Sequence, residues 1–113
     1  MSSRYVLKRS KDGMFTFTLQ THSGEDLVTS HVYNDKDSAM RAINTARRLA
    51  QREDNYELLR TNNGLIYFVL KNTRGEVLGQ SREYNDAESL RQAITQAKAK
   101  TRGARLEDLT EKM

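Results

Sequence analysis

The chain has 113 residues, with 36% hydrophobic and 30% charged positions, a formal net charge of +4, and no cysteine, proline or tryptophan. That length fits one domain spanning residues 1–113, and the missing cysteines exclude disulfides and thiolate metal sites. No run approaches the ~20 apolar residues that span a bilayer, and the N-terminal MSSRYVLKRS has no apolar stretch of signal-peptide length, so no membrane role and a cytoplasmic location are expected.

The charge is uneven. Residues 1–52 hold nine Lys/Arg against five Asp/Glu, a balance of +4, whereas residues 53–113 hold ten of each. A mild basic bias permits an anionic partner without demanding one.

Residues 5–51 repeat as residues 56–102 at a constant offset of 51, with seventeen identities in 47 aligned pairs. Unrelated segments of that length would share about three, so the chain is a tandem duplication with repeats at 4–54 and 55–109. Identical apolar pairs include Tyr5/Tyr56, Leu7/Leu58, Phe17/Phe68, Leu19/Leu70 and Ile43/Ile94; identical turn and cap pairs include Gly13/Gly64, Gly24/Gly75, Asp35/Asp86 and Ser38/Ser89. The shared residues serve packing, turns and helix starts. About 50 residues give a thin core alone, so the halves are expected to share one.

In chain order, each repeat opens with two strands, near 4–10 and 14–21, then 55–61 and 65–72. In MFTFTLQ, Phe15, Phe17 and Leu19 fall on one face; in LIYFVLK, Ile66, Phe68 and Leu70 do. Asp12-Gly13 and Asn63-Gly64 read as two-residue hairpin turns. Looser turns, HSGE and TRGE, lead to third strands near 26–33 and 77–84. The period then shifts to about 3.6. Asp35 and Asp86 are placed as N-caps. Ala39, Ala42, Ile43, Ala46 and Leu49 line one face of a helix near 36–52, and Leu90, Ala93, Ile94 and Ala97 line its twin near 87–101. The closing ARLEDL, residues 104–109, aligns with the strand at 55–61 and reads as the start of a third copy. It is expected to take in the first half the place of strand 55–61 in the second, closing the sheet under a pseudo-two-fold axis. The predicted fold is α+β: tandem β3-α-β units sharing one antiparallel-rich sheet of about seven strands, with two helices on one face and swapped C-terminal strands.

The segments GEDLVTSHVYNDKDSAMRAI and GEVLGQSREYNDAESLRQAI resemble the YegP-like family of small bacterial proteins of unknown function. The resemblance covers residues 4 to about 109. It implies the same twice-taken β3-αβ unit, and no reaction, cofactor or catalytic residue. Two positions depart from the family pattern: its Glu after the serine is His31 and Arg82 here, and its Gly before the helix isoleucine is Ala42 and Ala93.

Chemical signals are thin. His22 and His31 stand nine residues apart without a zinc-ligand arrangement, so no metal or cofactor is expected. Ser30 and Ser81 recur, but a nucleophile needs a base within reach, and adjacent strand residues such as Ser30 and His31 point to opposite faces. A backbone or cross-strand hydrogen bond is the expected role. Arg9/Arg60 and Glu25/Glu76 are expected as symmetric ion pairs near the turns. With no catalytic constellation, the chain reads as a non-enzyme.

Two surfaces remain. If helices cover the Phe17/Phe68 face, the other face carries Lys8, Met14, Thr16 and Thr18 in the first repeat, but Leu59, Leu65, Tyr67 and Val69 in the second. A one-sided apolar patch points to protein docking or self-association. The alternative is weak, sequence-tolerant nucleic-acid binding through the basic helix face of Arg41, Arg47, Arg48 and Arg52.

Overall fold

A computed structural model describes residues 3–111. Three strands, β1 (Arg4–Arg9), β2 (Phe15–Gln20) and β3 (Asp26–Ser30), precede helix α1 (Lys36–Leu49). A short 3-10 turn over Glu53–Asn55 leads into β4 (Tyr56–Arg60), β5 (Ile66–Lys71) and β6 (Val77–Gln80), then helix α2 (Ala87–Lys100) and β7 (Arg105–Asp108). All seven strands form one sheet in the order β4-β5-β6-β3-β2-β1-β7. Every pairing is antiparallel except β1 with β7, which is parallel.

The helices start where a side chain satisfies their first amides. Asp35 accepts from the Ser38 N–H, and Asp86 from the Ser89 N–H, each at 2.7 Å. Those bonds hold both carboxyls below the usual aspartate range. Alanine-rich faces let α1 lie on β2 and β5, and α2 on β5, β3 and β2. The core is continuous across both repeats, from Tyr5, Leu7, Phe17 and Leu19 to Phe68, Leu70 and Leu90.

The hairpins depart from the two-residue expectation. Ser10 N–H donates to the Met14 carbonyl and Gly13 N–H to the Ser10 carbonyl, so Lys11–Gly13 form a three-residue loop. Thr61, Gly64 and Leu65 repeat it, with φ of 80° at Gly13 and 85° at Gly64. A two-residue type I′ turn needs positive φ at Asp12 and Asn63 too, and among the described residues only glycines have positive φ. The looser turns before β3 and β6 use the same hydrogen bonds, from Thr21 to Glu25 and from Asn72 to Glu76.

The third strands stop earlier than the alternation predicts, at Ser30 and Gln80. Beyond them the chain returns to β2 and β5 only at isolated bridges, Phe15 with Tyr33 and Ile66 with Tyr84.

β3 and β6 meet at the pseudo-two-fold, through Thr29 with Gln80 and Ser30 with Gly79. Gly79 stands where the first repeat has Val28. A Cβ there would lie 2.8 Å from the Thr29 carbonyl oxygen and 2.9 Å from Val28 Cγ1. The junction therefore admits one side chain at the pair of positions that the offset relates.

The exchange between repeats has two parts. Helix ends cross both ways: the Tyr5 hydroxyl meets Thr101 Oγ1 at 2.6 Å, and the Tyr56 hydroxyl donates to the Ala50 carbonyl at 2.7 Å. The added strand crosses one way. β7 pairs with β1, but on its outer side, since β1 itself holds the place beside β2. The expected closure is corrected accordingly: the sheet is open, with β4 and β7 as its edges. Residues 53–55 run straight into β4 and so cannot also lie alongside it.

Candidate interaction surface

Ser30 and Ser81 are buried where the two repeats meet. The Ser30 hydroxyl accepts from the Phe17 N–H at 2.9 Å and donates to the His31 carbonyl at 2.8 Å. Ser81 does the same with Phe68 N–H at 3.0 Å and the Arg82 carbonyl at 2.7 Å. Each hydroxyl thus replaces the ladder partner that β2 or β5 loses where the third strand ends. Each O–H is committed to a backbone carbonyl and each oxygen accepts a backbone amide, the backbone role expected of these serines. The cleft of about 340 Å³ that these serines line also holds Asp26, His31 and Arg82, but both hydroxyls donate to backbone carbonyls rather than to a basic side chain.

His31 and Arg82 occupy equivalent positions and both pack on tyrosines. The His31 ring lies 4.6 Å from that of Tyr33, and the Arg82 guanidinium 5.4 Å from that of Tyr84. His22 is exposed in a turn. Among the described residues, no three His, Cys, Asp or Glu gather to hold a metal ion. The expected Arg9–Glu25 and Arg60–Glu76 ion pairs are absent among the described residues. Arg9 instead lies 6.0 Å over the Phe15 ring, and Glu76 accepts from Asn72 within its own turn.

The basic helix face loses a member. Arg47 is folded inward, with its guanidinium 5.1 Å from the centre of the Tyr5 ring and donating to the Ala104 carbonyl at 2.5 Å. It anchors the turn into β7. Lys98, its counterpart, reaches Glu53 at 3.1 Å. Arg41, Arg48 and Arg52 are exposed.

The helix-free face divides as the alternation predicts. Leu59 pairs with Tyr67, and Glu57 with Val69, opposite the core residues Ile66, Phe68 and Leu70. Leu59, Leu65 and Tyr67 are half-buried, but Val69 is only 4% exposed. Its row neighbours are Gln80 and Glu57, and Lys71 bridges to Glu57 at 2.6 Å. The part of the patch that solvent reaches is therefore the half-buried Leu59, Leu65 and Tyr67.

The first half holds an apolar residue on this face that its polar pattern hid. Val6 pairs with Thr18 and Glu107 and is buried. Arg4 spans the row, donating to Glu107 at 2.9 Å and Gln20 at 3.1 Å. The alternation of β1 signals that Val6 faces away from Leu7; that it is buried there depends on β7.

Sequence comparison shows how widely this arrangement occurs. Over 108 residues the chain is 39% identical to the UPF0339 protein PA0329 of Pseudomonas aeruginosa, covering 96% of this chain and 98% of that protein. It is 33% identical over 110 residues to the UPF0339 protein YegP of Escherichia coli, covering 97% and 100% respectively. The chain belongs to the UPF0339 family. Residues 62–108, most of the second repeat, match a domain of unknown function, DUF1508. The solution NMR structure of yegP from E. coli, a protein of unknown function, superposes with a TM-score of 0.92 at 32% identity, covering 100% of this chain and 97% of that one. The UPF0339 protein SO3888 of Shewanella oneidensis superposes at 0.91, with 28% identity and coverage of 99% and 95%. The YegP-like resemblance and the α+β fold both stand. No helix of the described residues is long and apolar enough to cross a membrane.

Proposed function

We propose that this UPF0339 protein is a non-enzymatic interaction module of the bacterial cytoplasm, docking protein on the helix-free sheet face of its second repeat. One observation carries the reading. Two repeats with one backbone plan differ on that face: Leu59, Leu65 and Tyr67 stand where Lys8, Met14 and Thr16 stand in the first. Half-buried apolar residues concentrated on one repeat's open face serve docking better than solubility. The committed hydroxyls of Ser30 and Ser81 support the non-enzymatic half of the reading.

The test is a double substitution, Leu65→Lys with Tyr67→Ser. It should leave the far-UV spectrum and melting cooperativity intact while abolishing self-association and partner capture. Unchanged association in both assays would reject the reading. Nucleic-acid binding is weaker, because Arg47 is spent on Tyr5 and Ala104. Charge reversal at Arg41, Arg48 and Arg52 that removed a salt-sensitive gel shift would reinstate it.

A further inference from the structure

The pseudo-two-fold relates β1 to β4, yet the two strands end in different surroundings. β1 has β7 on its outer side, parallel to it. β4 is paired only with β5, and its outer side is an edge of the sheet. The counterparts Leu7 and Leu58 register the difference: Leu7 is 0% exposed and Leu58 is 43% exposed. Both lie on the helix side, Leu7 paired with Phe17 and Leu58 with Phe68.

The backbone is set for addition. On β1, the Ser3 and Leu7 carbonyls accept from Arg105 and Leu109 N–H groups of the β7 segment. The offset maps these carbonyls onto Asp54, which lies in the 3-10 turn, and Leu58; the Tyr56 N–H is held by the Glu53 carbonyl, so it is the Leu58 N–H and C=O that point outward from β5. The β4–β5 register is unbroken over five residues, without a bulge to turn the edge aside. The β7 edge is blunted instead. It has four residues, and Asp108 is clasped by Thr110 and by Lys36 at 2.6 Å.

We infer that the outer edge of β4 is an acceptor for an extended segment of a partner protein, added parallel to β4 as β7 is added to β1. The side chains around the edge set the chemistry of that segment. β7 answers Arg4 and Lys36 with Glu107 and Asp108. In the second half those two cations become Asn55 and Ala87, and Val6 becomes Glu57. The preferred segment therefore carries an apolar residue beside Tyr56, a basic residue that shares Glu57 with Lys71, and an apolar residue opposite Leu58. Main-chain pairing would supply most of the affinity, and these three positions the selectivity.

This acceptor is distinguishable from the Leu65 and Tyr67 patch, although Glu57 and Leu59 of β4 lie on the same helix-free face. Leu58 points to the helix side, whereas Leu65 and Tyr67 point away from it, so the two readings fail independently. The probe is a synthetic peptide spanning residues 103–111 with Glu107→Lys and Asp108→Leu, titrated into the full chain and followed by amide NMR. The expected result is perturbation centred on Tyr56–Arg60, slowed exchange of the Leu58 amide, and binding roughly fivefold tighter than the unsubstituted peptide. Leu58→Glu, at an exposed position, should abolish the effect with the melting temperature little changed; Leu58→Ser provides a second, milder variant. The double variant Leu65→Lys, Tyr67→Ser should still bind the peptide. Absence of binding, perturbation centred on β1 or on Leu65 and Tyr67, or full binding by both Leu58 variants would overturn the inference.

Discussion

At the scale of the residue, duplication is most informative where a pair serves backbone rather than surface. Ser30 and Ser81 each end a ladder by supplying a hydroxyl to the amide that the third strand abandons. Replacing Ser30 by Ala leaves the buried Phe17 N–H without its partner, at a cost of about 1–3 kcal/mol. Urea denaturation should show this as a lower midpoint with an unchanged slope, and Ser81→Ala should behave alike. Gly79 is the opposite case: its repeat mate is Val28, and the difference is enforced by the approach of β6 to β3. Identity in one pair and divergence in the other have the same source, the meeting of two third strands on the pseudo-axis.

At the scale of the element, β7 is the piece that the duplication does not explain by itself. It buries Val6 and Ala104 and brings Arg4, Lys36 and Arg47 into contact with a segment about a hundred residues from the N-terminus. Truncation at Gly103 should cost about 2–4 kcal/mol through re-exposed area and the unpaired β1 edge. For a chain of this size that lowers the melting temperature by roughly 10–20 °C; an unchanged value would deny β7 a structural role. Acid should loosen the same strand selectively. The Lys36 ammonium and the Thr110 hydroxyl and amide hold the Asp108 carboxyl down at about 2. A depressed carboxylate contributes its stability above its unfolded value of about 3.9, and that contribution drains away as pH falls through the folded value. Protection of the Arg105–Leu109 amides, taken relative to their intrinsic exchange rates, should therefore fall between about pH 4 and pH 2, and Asp108→Asn should flatten the profile there.

At the scale of the whole molecule, two repeats make one sheet and one core, but two unlike halves. The first half is capped by β7 and bridged by Arg4; the second keeps an open edge and an uncovered apolar patch. Light scattering across a dilution series, at low and high salt, is expected to show self-association that survives salt and dissolves on dilution. A strict monomer at every concentration would leave the patch to a different protein and direct attention to capture experiments.

Sequence alone determined the repeat, the element order, the helix caps at Asp35 and Asp86, and the faces of β2 and β5. Each of these rests on contacts within a few residues or on a strict period, which composition and spacing express directly. The resemblance to YegP-like proteins was legible for the same reason, since its motif lies within one repeat. Tertiary structure alone decided that the sheet stays open, that Arg47 turns inward, that Val69 is covered, and that Leu58 is exposed while its twin Leu7 is sealed. Those outcomes depend on which strand lies beside which. A chain duplicated without a linker sends residues 53–55 directly into β4, so among the described residues it is the C-terminal segment, as β7, that covers an edge.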